Sequence, residues 1–354
     1  MIQASAPGKM IILGEYAVLY GAPALVHTVD KRAEVNVHPL SGNEFLVSSP
    51  SLRVDPQPFV LTKSGSVRFN PHLHTVIRNR LLFFKKIFEQ ILSALKIDNP
   101  GTGLSIELKT DAFYSQQFRS KLGFGSSAAL TVALANAMAR AYNVTVDAKS
   151  LFRIALDAHR AAQGNLGSGI DIAASAYGGI LNYTMAAHSE KQEAPKKVSS
   201  WEALPMAVVW SGSSASTSKM VKSVAQLETD NPSLHRMLID TLTKISIDGA
   251  QAYAEQYLDG FMYSVNAFYS ALQKLGEESS TSIISAAHAR LAELAFQESC
   301  VYKPSGAGGG DIGLLFAASK DKLETVSKKV EQNGYKIVDV KLDPKGVYIQ
   351  EEIK

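Results

Sequence analysis

Gly123-Phe124-Gly125-Ser126-Ser127-Ala128-Ala129 opens a run, Ser126–Tyr142, that is rich in alanine and leucine and contains no glycine or proline. Small and aliphatic residues of high helix propensity, uninterrupted, predict a buried helix there, so a glycine-rich turn feeds straight into a helix. Glycine lets the backbone bring several N–H groups close to an anion, and the positive end of the helix dipole adds to the attraction. Ser126 and Ser127 are placed to cap the helix and to offer a hydroxyl to a phosphate or to Mg2+. The segment does not fit GxxxxGK[ST], so it is not a Walker-type phosphate loop.

Upstream, Leu104–Leu108 alternates as a strand should, and β-rich runs near Met10–Leu13, Ala24–Thr28 and Arg32–His38 open the chain. Between them, Val76, Leu81, Phe84, Ile87, Phe88, Ile91 and Leu95 recur at three-to-four spacing among basic residues, which predicts an amphipathic helix over 73–95. Downstream, a helix over Ala148–Ala162 leads into Gly164-Asn165-Leu166-Gly167-Ser168-Gly169-Ile170-Asp171, where a carboxylate follows three glycines, and then into AASAYGGILNY, which ends as a strand. The polar stretch centred on Ser189–Ser200 is the expected seam between two lobes.

Beyond the seam, strands are expected at Met206–Trp210, Ile312–Phe316, Lys336–Leu342 and Val347–Gln350, and helices at Lys219–Leu227, Ala252–Leu275, Ile283–Phe296 and Asp321–Gln332. Both halves are therefore read as α+β. A third glycine segment, Lys303-Pro304-Ser305-Gly306-Ala307-Gly308-Gly309-Gly310-Asp311, has four glycines in five positions. Ordering them is entropically costly and calls for a reason such as close approach to a ligand or a partner strand.

The length, 354 residues, suits two domains better than one core, with boundaries expected at 1–190 and 191–354. Hydrophobic residues at 46% and charged residues at 19% give a chain that folds throughout. A net charge of +3 without basic blocks or interleaved aromatic residues argues against nucleic acid as a partner. Cys300 is the single cysteine, read as a buried thiol, and no internal disulfide can form. Glycines, Lys9 and Glu15 interrupt the apolar N-terminal stretch before it could act as a signal or membrane span, so a cytoplasmic protein with no membrane partner is expected.

Taken one at a time, the motifs have ordinary explanations: a capped helix start, an aspartate cap, a hinge loop, a solvated lysine in Ala6-Pro7-Gly8-Lys9. Their joint order is harder to dismiss. APGK followed by Gly14-Glu15-Tyr16, then GFGSSAA, GNLGSGID and KPSGAGGGD, resembles the motif set of the GHMP kinases, over nearly the whole chain. GEYAVLYG, GSGIDIAASAYGG, WSGSSASTSK and KPSGAGGGD look most like the phosphomevalonate kinase forms, although Gly164-Asn165 echoes the mevalonate kinase form.

That resemblance implies an α+β, two-lobed fold, with an N-terminal lobe like ribosomal protein S5 domain 2 and a ferredoxin-like C-terminal lobe. It implies ATP and Mg2+ in the cleft and a small-molecule acceptor, in a monomer or homodimer. Gly123, Gly125, Ser126, Ser127 and Ala128 would wrap the phosphates, with Ser126 or Ser127 on the metal. Asp171 would face the acceptor and Lys9 would bridge toward the transferred group. Tyr16, Ser168 and Gly308 would line the acceptor site. The helix before the aspartate motif reads His159-Arg160 where mevalonate kinases carry a glutamate that binds magnesium, so the resemblance does not decide whether a protein carboxylate binds the metal here.

The charges favour one acceptor. A phosphate monoester is already anionic near neutral pH, so it needs cations more than a base. Arg160, Lys219 and Lys303 lie beside the motif segments, and Arg160 and Lys219, with hydroxyls of Ser213, Ser214 and Ser216, are the expected holders of the acceptor's phosphate or carboxylate. The expected reaction is phosphorylation of 5-phosphomevalonate. The alternatives are mevalonate kinase or another GHMP small-molecule kinase, a diphosphomevalonate decarboxylase, and a non-catalytic sensor.

Overall fold

Pro23–Pro39, a 17-residue strand, organises the first sheet. One of its edges pairs antiparallel with Ile2–Leu13 along most of its length. The other edge is shared, Ile180–Thr184 pairing with its first part and Leu104–Lys109 with its last. Phe45–Ser49 joins Leu104–Lys109 in parallel, and Val54–Leu61 and Val67–Phe69 complete that side. This computed structural model describes residues 1–97, 101–164, 167–186 and 192–350.

Ile2–Leu13 is buried nearly end to end because the helices Ser126–Ala141 and Ile170–Tyr177 cover one of its faces. The alanines of Ser126–Ala141 explain how close the helix comes: ten of its residues, mostly alanine, are buried. The amphipathic prediction over 73–95 resolves into Thr75–Arg80 and Leu82–Ala94, whose Phe84, Ile87, Phe88 and Ile91 face the core.

The second sheet is antiparallel, in the order Val301–Pro304, Ile312–Phe316, Met206–Trp210, Lys336–Ile337. The helices Thr217–Asp230, Pro232–Ala254, Leu258–Glu278, Ala286–Gln297 and Lys320–Gln332 accompany it. Two readings of this half change. The helix expected over Ala252–Leu275 is two helices, broken where Gln256 takes a left-handed φ of 54°, and Pro232–Ala254 precedes the break. The strand expected over Lys336–Leu342 is confined to Lys336–Ile337, with Leu342 making one isolated bridge to Val29.

The chain returns at its end to the first sheet, Tyr348–Gln350 pairing with Gln3–Ser5. Arg32 clamps this return through an ion pair to Asp343 at 2.5 Å and a cation–π contact with Tyr348. Within the expected seam, residues 187–191 lie outside the described ones, and Lys196–Val198 adds an edge strand beside Ile180–Thr184.

Candidate active site

Gly8 fixes the first strand to the glycine loop. A Cβ there would lie 2.6 Å from the Phe113 ring and 2.8 Å from the Phe124 carbonyl, a space only glycine leaves free. The next residue, Lys9, donates its backbone N–H to Phe124 O at 2.9 Å, and its side chain runs along Gly125. A Cβ on Gly125 would sit 3.4 Å from Lys9 Cε and 3.7 Å from Asp171 Cβ, so the lysine and the aspartate both lie beside this glycine.

Both glycine-led helices start without a side-chain cap. Gly125 (φ 77°) precedes Ser126–Ala141 and Gly169 (φ 82°) precedes Ile170–Tyr177. In the second helix Ile170 N–H donates to Ser168 Oγ at 3.3 Å and Ile172 N–H to Asp171 Oδ1 at 3.0 Å, whereas the first N–H groups of Ser126–Ala141 have no intrahelical partner and, with the dipole, face the space in front. That space is a cavity of about 650 Å³ between the lobes. Lys9, Tyr16, Gly123, Gly125, Ser126, Ser127, Arg160, Ser168, Asp171 and Gly308 all line it.

Around the aspartate motif, the Ser168 carbonyl accepts from the Tyr183 hydroxyl at 2.6 Å and from Arg160 Nη2 at 3.3 Å, which brings the guanidinium to the cavity wall. Asp171 lies in the first turn of its helix, where a carboxylate is favoured by the dipole. Asn165 and Leu166 of this motif lie outside the described residues. Ser127 Oγ stands 3.2 Å from Nε2 of the buried His159, and Gln163 Nε2 stands at the same distance from that nitrogen. One ring nitrogen thus meets both the Ser127 hydroxyl and the Gln163 amide, and its tautomer sets which groups donate.

From the other lobe, the third glycine segment closes the cavity. Tyr16 donates to the Ala307 carbonyl at 2.5 Å, and burial, with Glu15 nearby, holds its phenol well above the ordinary range, so it remains a neutral donor. Ser305 Oγ bridges the Ile11 N–H and carbonyl at 2.9 and 3.0 Å. Gly308 has no room for a side chain, since a Cβ would lie 2.4 Å from the Ile283 carbonyl.

Other expected residues fall elsewhere. Ala128 is buried in the helix behind the loop, and Ser213, Ser216 and Lys219 are exposed and outside the cavity lining. Lys303 is fully buried, its ammonium 2.5 Å from Glu15 Oε1 and 2.7 Å from the Pro304 carbonyl. Burial lowers its pKa while Glu15 opposes the shift. The cavity also contains Glu15, Arg119, Lys121, His159 and Asp311, which the motif reading did not assign to it. Arg119 and Lys121 had a signal, as basic residues just before the glycine loop. Glu15 and Asp311 were inside quoted motifs but had no sequence-adjacent partner to mark them.

Among the described residues, no group of three or more His, Cys, Asp or Glu side chains is placed to hold a metal ion. A divalent cation here would rest on phosphate oxygens, the Ser126 or Ser127 hydroxyl and water, a donor set suited to Mg2+, which keeps several waters. No helix among the described residues is long and apolar enough to cross a membrane.

Fold and cleft thus define a two-lobed α+β protein with two glycine-led helix starts presented to a shared cavity. Residues 83–179 match the family described as the GHMP kinases N terminal domain. The mevalonate kinase of Pyrococcus abyssi is 24% identical over 363 residues, covering 99% of this chain and 98% of its own. The phosphomevalonate kinase of a Streptomyces species is 26% identical over 358 residues, covering 93% and 94%. The structure of Streptococcus pneumoniae phosphomevalonate kinase with phosphomevalonate and AMPPNP superposes with a TM-score of 0.79 at 19% identity, covering 97% of this chain and all of that one. The chain carries a GHMP kinase N-terminal domain and has the two-lobed GHMP kinase fold.

Proposed function

We propose that the protein transfers the γ-phosphoryl group of ATP to the phosphate of 5-phosphomevalonate, giving 5-diphosphomevalonate and ADP. The observation that carries the reading is the placement of Lys9 and Asp171 together beside Gly125, at the mouth of an uncapped helix start. Phosphoryl transfer depends on positioning and charge neutralisation more than on covalent chemistry, and these groups supply both.

In this reading the nucleotide's phosphates lie on the N–H groups from Gly123 to Ala128. Magnesium bound with the nucleotide would neutralise phosphate charge, and Ser127, beside His159 Nε2, would offer it a hydroxyl oxygen. The acceptor's phosphate oxygen, already anionic because its second pKa is about 6, attacks the γ-phosphorus as the bond to the ADP oxygen breaks. Lys9 offsets the charge on the transferred group, and Asp171 orients the lysine and the acceptor. Arg160, anchored on the Ser168 carbonyl, is the cavity cation best placed for the acceptor's own anionic group.

A second reading keeps the site and changes the acceptor to mevalonate, supported by the Pyrococcus abyssi relative. There Asp171 would take the hydroxyl proton as general base. An ADP-release assay with MgATP against mevalonate, 5-phosphomevalonate, homoserine and galactose separates the two. Turnover of 5-phosphomevalonate, abolished in Lys9→Met and Asp171→Asn, is the expected result. Turnover of mevalonate alone would replace the acceptor, and silence with every acceptor would overturn the kinase reading.

A further inference from the structure

We propose that Phe118 is a positioning residue of this site: seated on Trp210 of the second lobe, it latches the hairpin before the glycine loop across the cavity and so sets Arg119 and Lys121 against the nucleotide's phosphates. The inference rests on the phosphoryl-transfer reading and gives a role to a segment that reading does not use.

The hairpin pairs Tyr114 with Lys121 and Ser115 with Ser120, and no further. So short a two-stranded ribbon is not stable in water on its own, and its contacts decide where it sits. At its root, Phe113 is buried against the space that Gly8 leaves, and the Leu122 N–H donates to the Phe113 carbonyl at 3.0 Å. Its tip reaches the other lobe. The Phe118 ring lies parallel to Trp210, with centroids 5.8 Å apart and planes 4° from each other, and Ser120 Oγ meets Ser214 Oγ at 2.7 Å. Both partners belong to a well-tied part of the second lobe. Trp210 is buried and paired with Ile312 in the sheet. The loop after it is fastened to the third glycine segment, Ser211 N–H donating to the Asp311 carbonyl at 2.9 Å and Asp311 N–H to the Ser213 carbonyl at 2.7 Å.

Between these anchors the hairpin carries two cations. Arg119, next to the latch, takes a left-handed φ of 49°, a strain that an L-residue keeps only where its surroundings hold it. Arg119 and Lys121 both line the cavity, and among the described residues neither side chain has an ion pair or hydrogen bond to a protein group. Two unpaired cations beside the N–H groups of Gly123 to Ala128 suit the polyphosphate of a nucleotide. They serve it only while the tip is seated, because a ribbon of two pairs released from Trp210 has nothing to keep their charges over the loop.

The test measures AMPPNP binding by calorimetry, with Mg2+, in wild type, Phe118→Ala, Phe118→Tyr, and Arg119→Ala/Lys121→Ala with and without Phe118→Ala. Phe118→Ala should weaken binding roughly fivefold to tenfold, the scale of one lost aromatic pair. The KM for ATP should rise by a similar factor, with a smaller fall in kcat. Phe118→Tyr keeps the ring and should recover binding to within about twofold of wild type. In the background without the two cations, Phe118→Ala should cost less than about twofold more, because residues acting through one another are not additive. Binding by Phe118→Ala as tight as wild type overturns the proposal. So does an equal loss with and without the two cations, which would make Phe118 a structural residue. A wild-type chain that binds AMPPNP but transfers phosphate to no acceptor would overturn the phosphoryl-transfer reading instead, and the binding cycle would still decide the latch.

Discussion

Replacing Lys303 by methionine removes one member of an ion pair sealed between the lobes, where Lys303 is 0% and Glu15 2% exposed. Methionine fills a similar volume, so the loss is electrostatic. Glu15 would keep one donor, the Gly306 N–H at 3.2 Å, and its Oε2 already has no hydrogen-bond partner. Breaking a buried pair by removing one partner costs about 3–5 kcal/mol. An independent bound agrees, because a buried carboxyl left unpaired can escape by taking up a proton. At pH 7 that costs roughly 4 kcal/mol for a group of glutamate's reference pKa, and at pH 5 roughly 1. Lys303→Met should therefore lose about 4 kcal/mol at pH 7, a fall of about 10 °C in Tm, and recover most of it near pH 5. The double variant Glu15→Gln/Lys303→Met should lie within about 1 kcal/mol of wild type, since a neutral pair has no charge to desolvate. Urea unfolding at pH 7 and pH 5 measures all three proteins. A single variant as stable as wild type at pH 7, or a penalty that does not shrink at pH 5, would refute the reasoning.

Arg160→Ala should raise the acceptor KM by roughly tenfold or more, the loss of a charge-assisted hydrogen bond, while Lys219→Ala, on the exposed start of its helix, should stay within about twofold. Steady-state kinetics on the two variants checks the contrast. Burial lowers the pKa of His27 and of His288 to about 4, so the folded chain holds both neutral while the unfolded chain protonates them below pH 6.5. Their contribution, about 3 kcal/mol each, is complete above pH 6.5 and is lost as pH falls toward 4. Urea midpoints between pH 7 and 5 should fall, and less steeply in His288→Gln. Gly123→Ala places a Cβ at φ 77° and 2.7 Å from Asp311, and should destabilise by about 1–3 kcal/mol in a thermal melt while also lowering kcat.

What the sequence revealed and what it concealed divide along a physical line. The glycine segments were legible because each marks a backbone need: Gly123, Gly125, Gly169 and Gly308 all take positive φ, and several face atoms that would exclude a Cβ. The Ser126–Ala141 helix was legible because its alanines are needed for close packing on the first strand. The Glu15–Lys303 pair was not, since its partners are 288 residues apart and a lone lysine beside a glycine run reads as a free cation. The Ser127–His159 contact spans 32 residues across two helices. The missed helix Pro232–Ala254 has a mixed surface in which His235 and Ser246 are buried and Met237 and Ile247 exposed, which blurs the periodic signal.

The pairing of Lys303 with Glu15 changes the electrostatic argument about the acceptor. Three cations beside the motifs first favoured a phosphate acceptor, but one is neutralised in the interior and another, Lys219, is exposed outside the cavity. The cavity's remaining positive charge comes from Lys9, Arg160, Arg119 and Lys121, set against Asp171 and Asp311. In the proposed reading Arg119 and Lys121, just before the glycine loop, would serve the nucleotide and Lys9 the transferred group. Arg160, anchored on the Ser168 carbonyl, is then the cation left for the acceptor's far end, with the Asp157 charge beside it and Asp171 in the same cavity lining. A phosphate there would meet the guanidinium, and so would the carboxylate that mevalonate also carries, so Arg160 alone does not separate the two acceptors. The choice between the two acceptors therefore rests on the turnover assay and not on this side chain.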